Sequence, residues 1–85
     1  MKNIKNVKNK MIGYAENNNI KDMHNYIKIH GKILKDISSA YGVEVNPIFR
    51  EIYNTAFQHE HYKFASEYQN DIQTLLGENI LFIDE

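Results

Sequence analysis

At 85 residues the chain has room for one domain, residues 1–85, and one modest core. Its balance of 42% hydrophobic and 25% charged residues is globular and excludes a disordered chain. With no cysteine and a net charge of −1, it excludes disulfides, thiolate metal sites, cysteine nucleophiles and a strongly basic nucleic-acid binder.

The N-terminus, MKNIKNVKNKMIGYA, has lysines but no apolar h-region, so it does not read as a signal peptide. No apolar run approaches the length of a membrane span. Both features predict a cytoplasmic protein.

The first predicted helix covers about residues 3–17. Ile4, Val7, Met11 and Tyr14 alternate steps of three and four, with Ile12 and Ala15 widening the stripe. Lys2, Lys5 and Lys8 fall on the outer face. Gly13 costs this helix about 1 kcal/mol relative to alanine, which predicts fraying or a close neighbour. Asn17, Asn18 and Asn19 form the break, because asparagine tolerates the left-handed conformation and also caps the next helix.

The second helix is predicted as one piece over residues 20–41. Ile20, Met23, Ile27, His30, Leu34, Ile37 and Tyr41 form a heptad seam with a mean step of 3.5 residues. Such a helix is roughly 33 Å long. Tyr26, Ile33 and Ala40 form a second stripe, so two neighbours are expected. Gly31 beside the seam permits a close helix approach, and Gly42 stands where a left-handed cap belongs. His30 within the seam reads as a structural residue rather than a ligand or pH switch.

Asn46 and Pro47 predict a helix start, the asparagine capping and the proline pre-set for the first turn. No glycine or further proline interrupts residues 47–76. The apolar phase slips at Gln58-His59-Glu60-His61, which two helices meeting near 58–62 explain as well as one helix with a stutter. Two are favoured, since 30 residues is long for a domain of this size. Gly77 should cap the last helix. Ile80, Leu81, Phe82 and Ile83 form an apolar tail that either folds back onto the bundle or docks on a partner. The fold class is therefore all-α: a small antiparallel bundle of three to four helices with a short apolar C-terminal tail.

Charge is divided along the chain. Residues 1–35 carry eight lysines against Glu16 and Asp22, while residues 36–85 carry Arg50 and Lys63 against nine acids. The simpler reading is a basic hairpin folded onto an acidic one. The sharper is a charged surface for a partner.

His59-Glu60-His61 invites a metal reading, but on a helix an i, i+2 pair points its rings about 200° apart. No metal site and no cofactor are expected. No phosphate loop, nucleophile elbow or carboxylate pair with a reason for shifted acidity occurs, so an enzyme is not expected. Tyr62 and Phe64 cannot both face one core on an ideal helix, so one should lie at the surface, where aromatics favour protein contact.

From the second helix onward, ISSAYGVEVNP, IFREIYNTAF and YKFASEYQNDIQTLL follow in order. Over residues 20–76 this resembles the pediocin-like bacteriocin immunity proteins, particularly the enterocin A group, whose final helix has a Glu-Tyr-Gln step matched by Glu67, Tyr68 and Gln69. The resemblance implies an antiparallel four-helix bundle in the cytoplasm of a bacteriocin producer. Such a protein performs no chemistry and protects the cell at a membrane sugar permease complexed with the bacteriocin. In that family the C-terminal half governs which bacteriocin is countered. The partner-binding candidates are accordingly Tyr62, Glu67, Tyr68, Asp71, Ile80, Leu81, Phe82 and Ile83.

Two other functions stay open. The isoleucine- and asparagine-rich, lysine-over-arginine usage matches AT-rich genomes and suits a phage or mobile-element regulator that inhibits a host enzyme or defence system. A small nucleic-acid-associated protein using Lys2, Lys5, Lys8 and Lys10 is disfavoured, because Arg50 is its only forked donor. A homodimer fits any of these, with the second apolar stripe satisfied between chains.

Overall fold

The computed structural model describes residues 2–41 and 45–77. Among them are five α-helices and no strand: α1 (Lys2–Glu16), α2 (Ile20–Ile29), α3 (Gly31–Tyr41), α4 (Val45–Gln58) and α5 (Tyr62–Leu76). The all-helical class matches the sequence reading, but there is one helix more than the three to four expected. The extra helix arises because the predicted 20–41 helix is broken. The cap expected at Gly42 and the apolar residues Ile80, Leu81, Phe82 and Ile83 lie outside the described residues.

The break falls at His30, whose backbone (φ −106°, ψ 18°) leaves the helical region. Its N–H still donates to the Tyr26 carbonyl at 2.8 Å, and its own carbonyl accepts from Leu34 N–H at 3.0 Å. Gly31, just past the break, brings the backbone of α3 against α5. A Cβ built there would lie 3.0 Å from Leu75 Cδ1. The seam residues Met23, Ile27 and Leu34 are buried on either side of the break, so the periodicity marked the core correctly while the helix divided. The second stripe does not continue across it: Tyr26 is half-buried, whereas Ile33 is 40% exposed.

Two left-handed residues close helices in the same way. Asn18 (φ 54°) ends α1, with Asn19 N–H donating to the Tyr14 carbonyl at 2.9 Å. Glu60 (φ 61°) ends α4, with His61 N–H donating to the Ala56 carbonyl at 2.9 Å and Glu60 N–H to that of Phe57 at 3.0 Å. Both are Schellman closures, which satisfy otherwise orphaned carbonyls. Asparagine enters this conformation readily, while glutamate does so at a steric cost. Gly77 (φ 70°) caps α5, its N–H donating to the Gln73 carbonyl at 2.9 Å. Helix α4 begins at Val45, so Asn46 lies within its first turn rather than at the cap. Pro47 still falls among the first residues, whose N–H groups have no intrahelical partner.

Side-chain contacts between helices set the chain directions. Tyr14 meets Tyr26 edge-on at 5.9 Å across the α1–α2 turn. Phe57 meets Tyr62 across the α4–α5 turn, and further along the same pair Tyr68 reaches Phe49. The two α4–α5 contacts, at either end of that pair, make it a hairpin. The α1–α2 and α4–α5 pairs are joined along α1 and α4, where Lys8 Nζ lies 2.7 Å from Glu51 Oε2, and the His61 ring donates from Nδ1 to the Ala15 carbonyl at 2.9 Å. One continuous core links all five helices, with Met11, Met23, Leu34, Phe49 and Phe64 among its members. Burial of such side chains is the main source of stability.

Gly13 has nothing within 4 Å of where a Cβ would stand. It is thus a helix-interior glycine without a close neighbour, contrary to one of the two readings of its sequence position. Gly13→Ala should stabilise the protein by about 0.5–1 kcal/mol, from helix propensity and a less free unfolded chain. A chemical-denaturation midpoint that stays put or falls would refute this.

Candidate functional site

The charged cluster that ties α2 to α5 is centred on His24. Its Nε2 lies 2.7 Å from Glu67 Oε1, and its Nδ1 is hydrogen-bonded to Asp71 Oδ2. Glu67 and Asp71 stand one turn apart on α5, so their carboxylates form a pincer around a single ring. Ionised carboxylates only accept, hence both ring nitrogens donate and His24 is an imidazolium. The Glu67 hydrogen bond is the largest influence raising its pKa above 6.5; burial opposes it, and Asp71 adds to the rise. An imidazolium with both nitrogens engaged has no lone pair for a metal or for general-base chemistry. Lys63 Nζ, 3.9 Å from Glu67 Oε2, adds a second, looser cation.

Beside this clamp runs an open groove of about 830 Å³ between α2–α3 and α5. Ile27, Gly31 and Leu75 supply its apolar part. Lys28, Lys32 and Lys35 line it from α2–α3, with Thr74 and Asp71 on the α5 side. Lys32 and Lys35, three residues apart, share one face of α3, and Lys28 joins them from α2 across the break at His30.

A second surface lies at the α4–α5 corner. Phe57 is 45% exposed and Tyr62 53% exposed. Their rings meet edge-on at 4.9 Å, and Tyr53 stacks on Phe57 from the core side at 6.0 Å. Phe64 is fully buried. Of the two aromatics that could not share a core, Tyr62 is the one at the surface.

The other site residues read from the sequence are scattered. Tyr68 is 0% exposed and donates its hydroxyl to the Phe49 carbonyl at 3.0 Å. It is a core residue and cannot contact a partner, because its face of α5 is turned into the bundle. Glu67 and Asp71 are half-buried and held by His24, so they bind within the chain rather than presenting free charge. Together with Lys8–Glu51, they are pairs between the basic and acidic halves, which favours the internal reading of the charge division. His30 packs against Tyr26 with its ring tilted by 41° and the centroids 4.3 Å apart, consistent with a structural role at the bend.

His59 and His61 lie in the α4–α5 turn, and their rings stack at 5.9 Å. The left-handed Glu60 between them cancels the opposed directions expected on a helix. Each Nδ1 donates to a backbone carbonyl at 2.9 Å, that of Thr55 for His59 and that of Ala15 for His61. Among the described residues, no group of three or more His, Asp or Glu side chains could hold a metal ion.

His24 itself was not singled out in the sequence. It follows Met23 on the edge of the seam, and its partners are 43 and 47 residues away. No local spacing encodes such a contact. The one available sign was a pair of acids at i, i+4 on α5 with a histidine flanking a buried stripe on another helix. Comparison with protein-family models, curated proteins and solved structures finds no match to this chain.

Proposed function

We propose that this protein is a non-enzymatic binding protein of the bacteriocin-immunity kind, working through contact with one macromolecular partner. The observation that carries the reading is the exposed Phe57–Tyr62 pair at the α4–α5 corner. Two adjoining half-exposed aromatics at a helix–helix turn form the kind of anchor that dominates protein–protein binding. The pair lies in the half of the chain that the resemblance assigns to partner choice. Also in its favour, no helix among the described residues is long and apolar enough to cross a membrane, as expected for a protein that meets a permease complex from one side. In this reading the helices form an antiparallel bundle in the cytoplasm.

Cells expressing the protein should become resistant to at least one pediocin-like peptide. Phe57→Ser with Tyr62→Ser should abolish that resistance while the protein stays folded with wild-type helical content, its unfolding midpoint lowered only by the loss of these half-exposed ring contacts. Unchanged sensitivity across a panel of such peptides would sink the immunity reading. If the same double variant instead releases a soluble enzyme captured from lysate by the wild type, the host-enzyme inhibitor takes its place.

A further inference from the structure

We propose that the groove between α2–α3 and α5 is the docking site for the chain's own residues 80–85. The groove has an apolar part made by Ile27, Gly31 and Leu75, bordered by Lys28, Lys32 and Lys35. The segment Ile80-Leu81-Phe82-Ile83-Asp84-Glu85 has the complementary order: four apolar residues, then two acids. Apolar side chains leave water against Ile27 and Leu75, while the carboxylates meet three lysines that form no ion pair among the described residues.

Position favours this occupant over an outside one. Leu75 and Thr74 are part of the groove and lie in the last turn of α5. The left-handed Gly77 ends α5 immediately afterwards. Ile80 follows three residues later, a reach of about 10 Å at most. A segment tethered so close has an effective concentration that a separate acidic, apolar peptide does not reach in dilute solution. Gly31 lets Leu75 pack directly on the backbone of α3 and complete the apolar floor of the groove, since a Cβ there would lie 3.0 Å from Leu75 Cδ1. The inference does not rest on the immunity reading: with residues 80–85 occupied within the molecule, partner contact falls to the Phe57–Tyr62 corner.

The chain contains no tryptophan and no cysteine, which makes reporters easy to place. In the full chain, Phe82→Trp should give a blue-shifted emission, shielded from acrylamide and independent of protein concentration. Adding Lys28→Glu, Lys32→Glu and Lys35→Glu should shift that emission to the red, whereas Lys5→Glu on α1 should not. Should Phe82→Trp disturb folding, Lys32→Cys with Leu81→Cys provides a second reading, as an intramolecular disulfide formed on mild oxidation. Water-like emission together with failure to crosslink would overturn the proposal. So would a blue shift that persists after the charge reversals. A blue shift seen only at concentrations where light scattering reports dimers would assign the groove to a second copy and overturn it equally.

Discussion

Tyr68→Ala is expected to destabilise the protein by about 3–5 kcal/mol, the range for truncating a large buried ring. That is a severe loss for 85 residues, whose total stability should be on the order of 4–13 kcal/mol. The side chain is fully buried beside Phe64, and its hydroxyl donates to the Phe49 carbonyl, joining α5 to α4. Tyr68→Phe keeps the ring and should cost about 1 kcal/mol, the net value of one hydrogen bond.

The two variants also separate in alkali. Burial holds the Tyr68 phenol well above its usual value of 10. A raised folded pKa contributes stability that is complete below the unfolded value and is lost as pH rises beyond it. The deficit of Tyr68→Phe should therefore shrink above pH 10, because the variant has no proton to release on unfolding. Urea midpoints at neutral and alkaline pH test both statements. A partner-contact tyrosine would behave differently, with binding lost and the midpoint untouched. An unchanged midpoint for Tyr68→Ala would remove this residue from the core.

His24→Ala should have the next largest effect, a loss of about 1–2 kcal/mol at a pH where the imidazole is charged. Two charge-assisted hydrogen bonds would be worth more if dry. The His24 side chain is 37% exposed, however, and Glu67 33%, so solvent screening holds the value down. The variant also leaves two carboxylates one turn apart with no cation between them, apart from the looser Lys63.

The pH profile gives the more discriminating test. Because the folded pKa of His24 is raised above 6.5, its contribution is complete below that value and declines as pH rises toward the folded one. Wild-type stability should fall across that interval, and the His24→Ala profile should fall less steeply there. Parallel profiles would mean that the clamp contributes nothing to folding. Titrating the His24 ring by NMR gives the direct check on the direction of the shift.

Much of this architecture can be read from spacing alone. Apolar residues at alternating steps of three and four identify which faces of the chain leave water, and Val7, Met11, Met23, Ile27 and Leu34 are buried accordingly. Asn18, Gly77 and the polar stretch at 58–61 mark helix ends through local backbone chemistry. These signals are local: each depends on residues within a turn or two, so a linear reading reaches them.

The division of the 20–41 seam at His30 is of another kind. Residue periodicity continues across it, and only the approach of Gly31 to Leu75, 44 positions away, gives the bend a reason. The same holds for Tyr68, where the helical pattern marks an apolar position but cannot say that Phe49 supplies its hydrogen-bond partner. His24 has the least local signature of all, since its charge state depends on two carboxylates brought from another helix. Residue order alone makes the chain helical, marks Met23, Ile27 and Leu34 of the seam as buried and sets where most helices end, because those are properties of neighbours along the backbone. The tertiary structure alone decided which polar groups meet, which aromatics remain in water and where a groove stays open. Those are properties of surfaces that come together only when the helices pack.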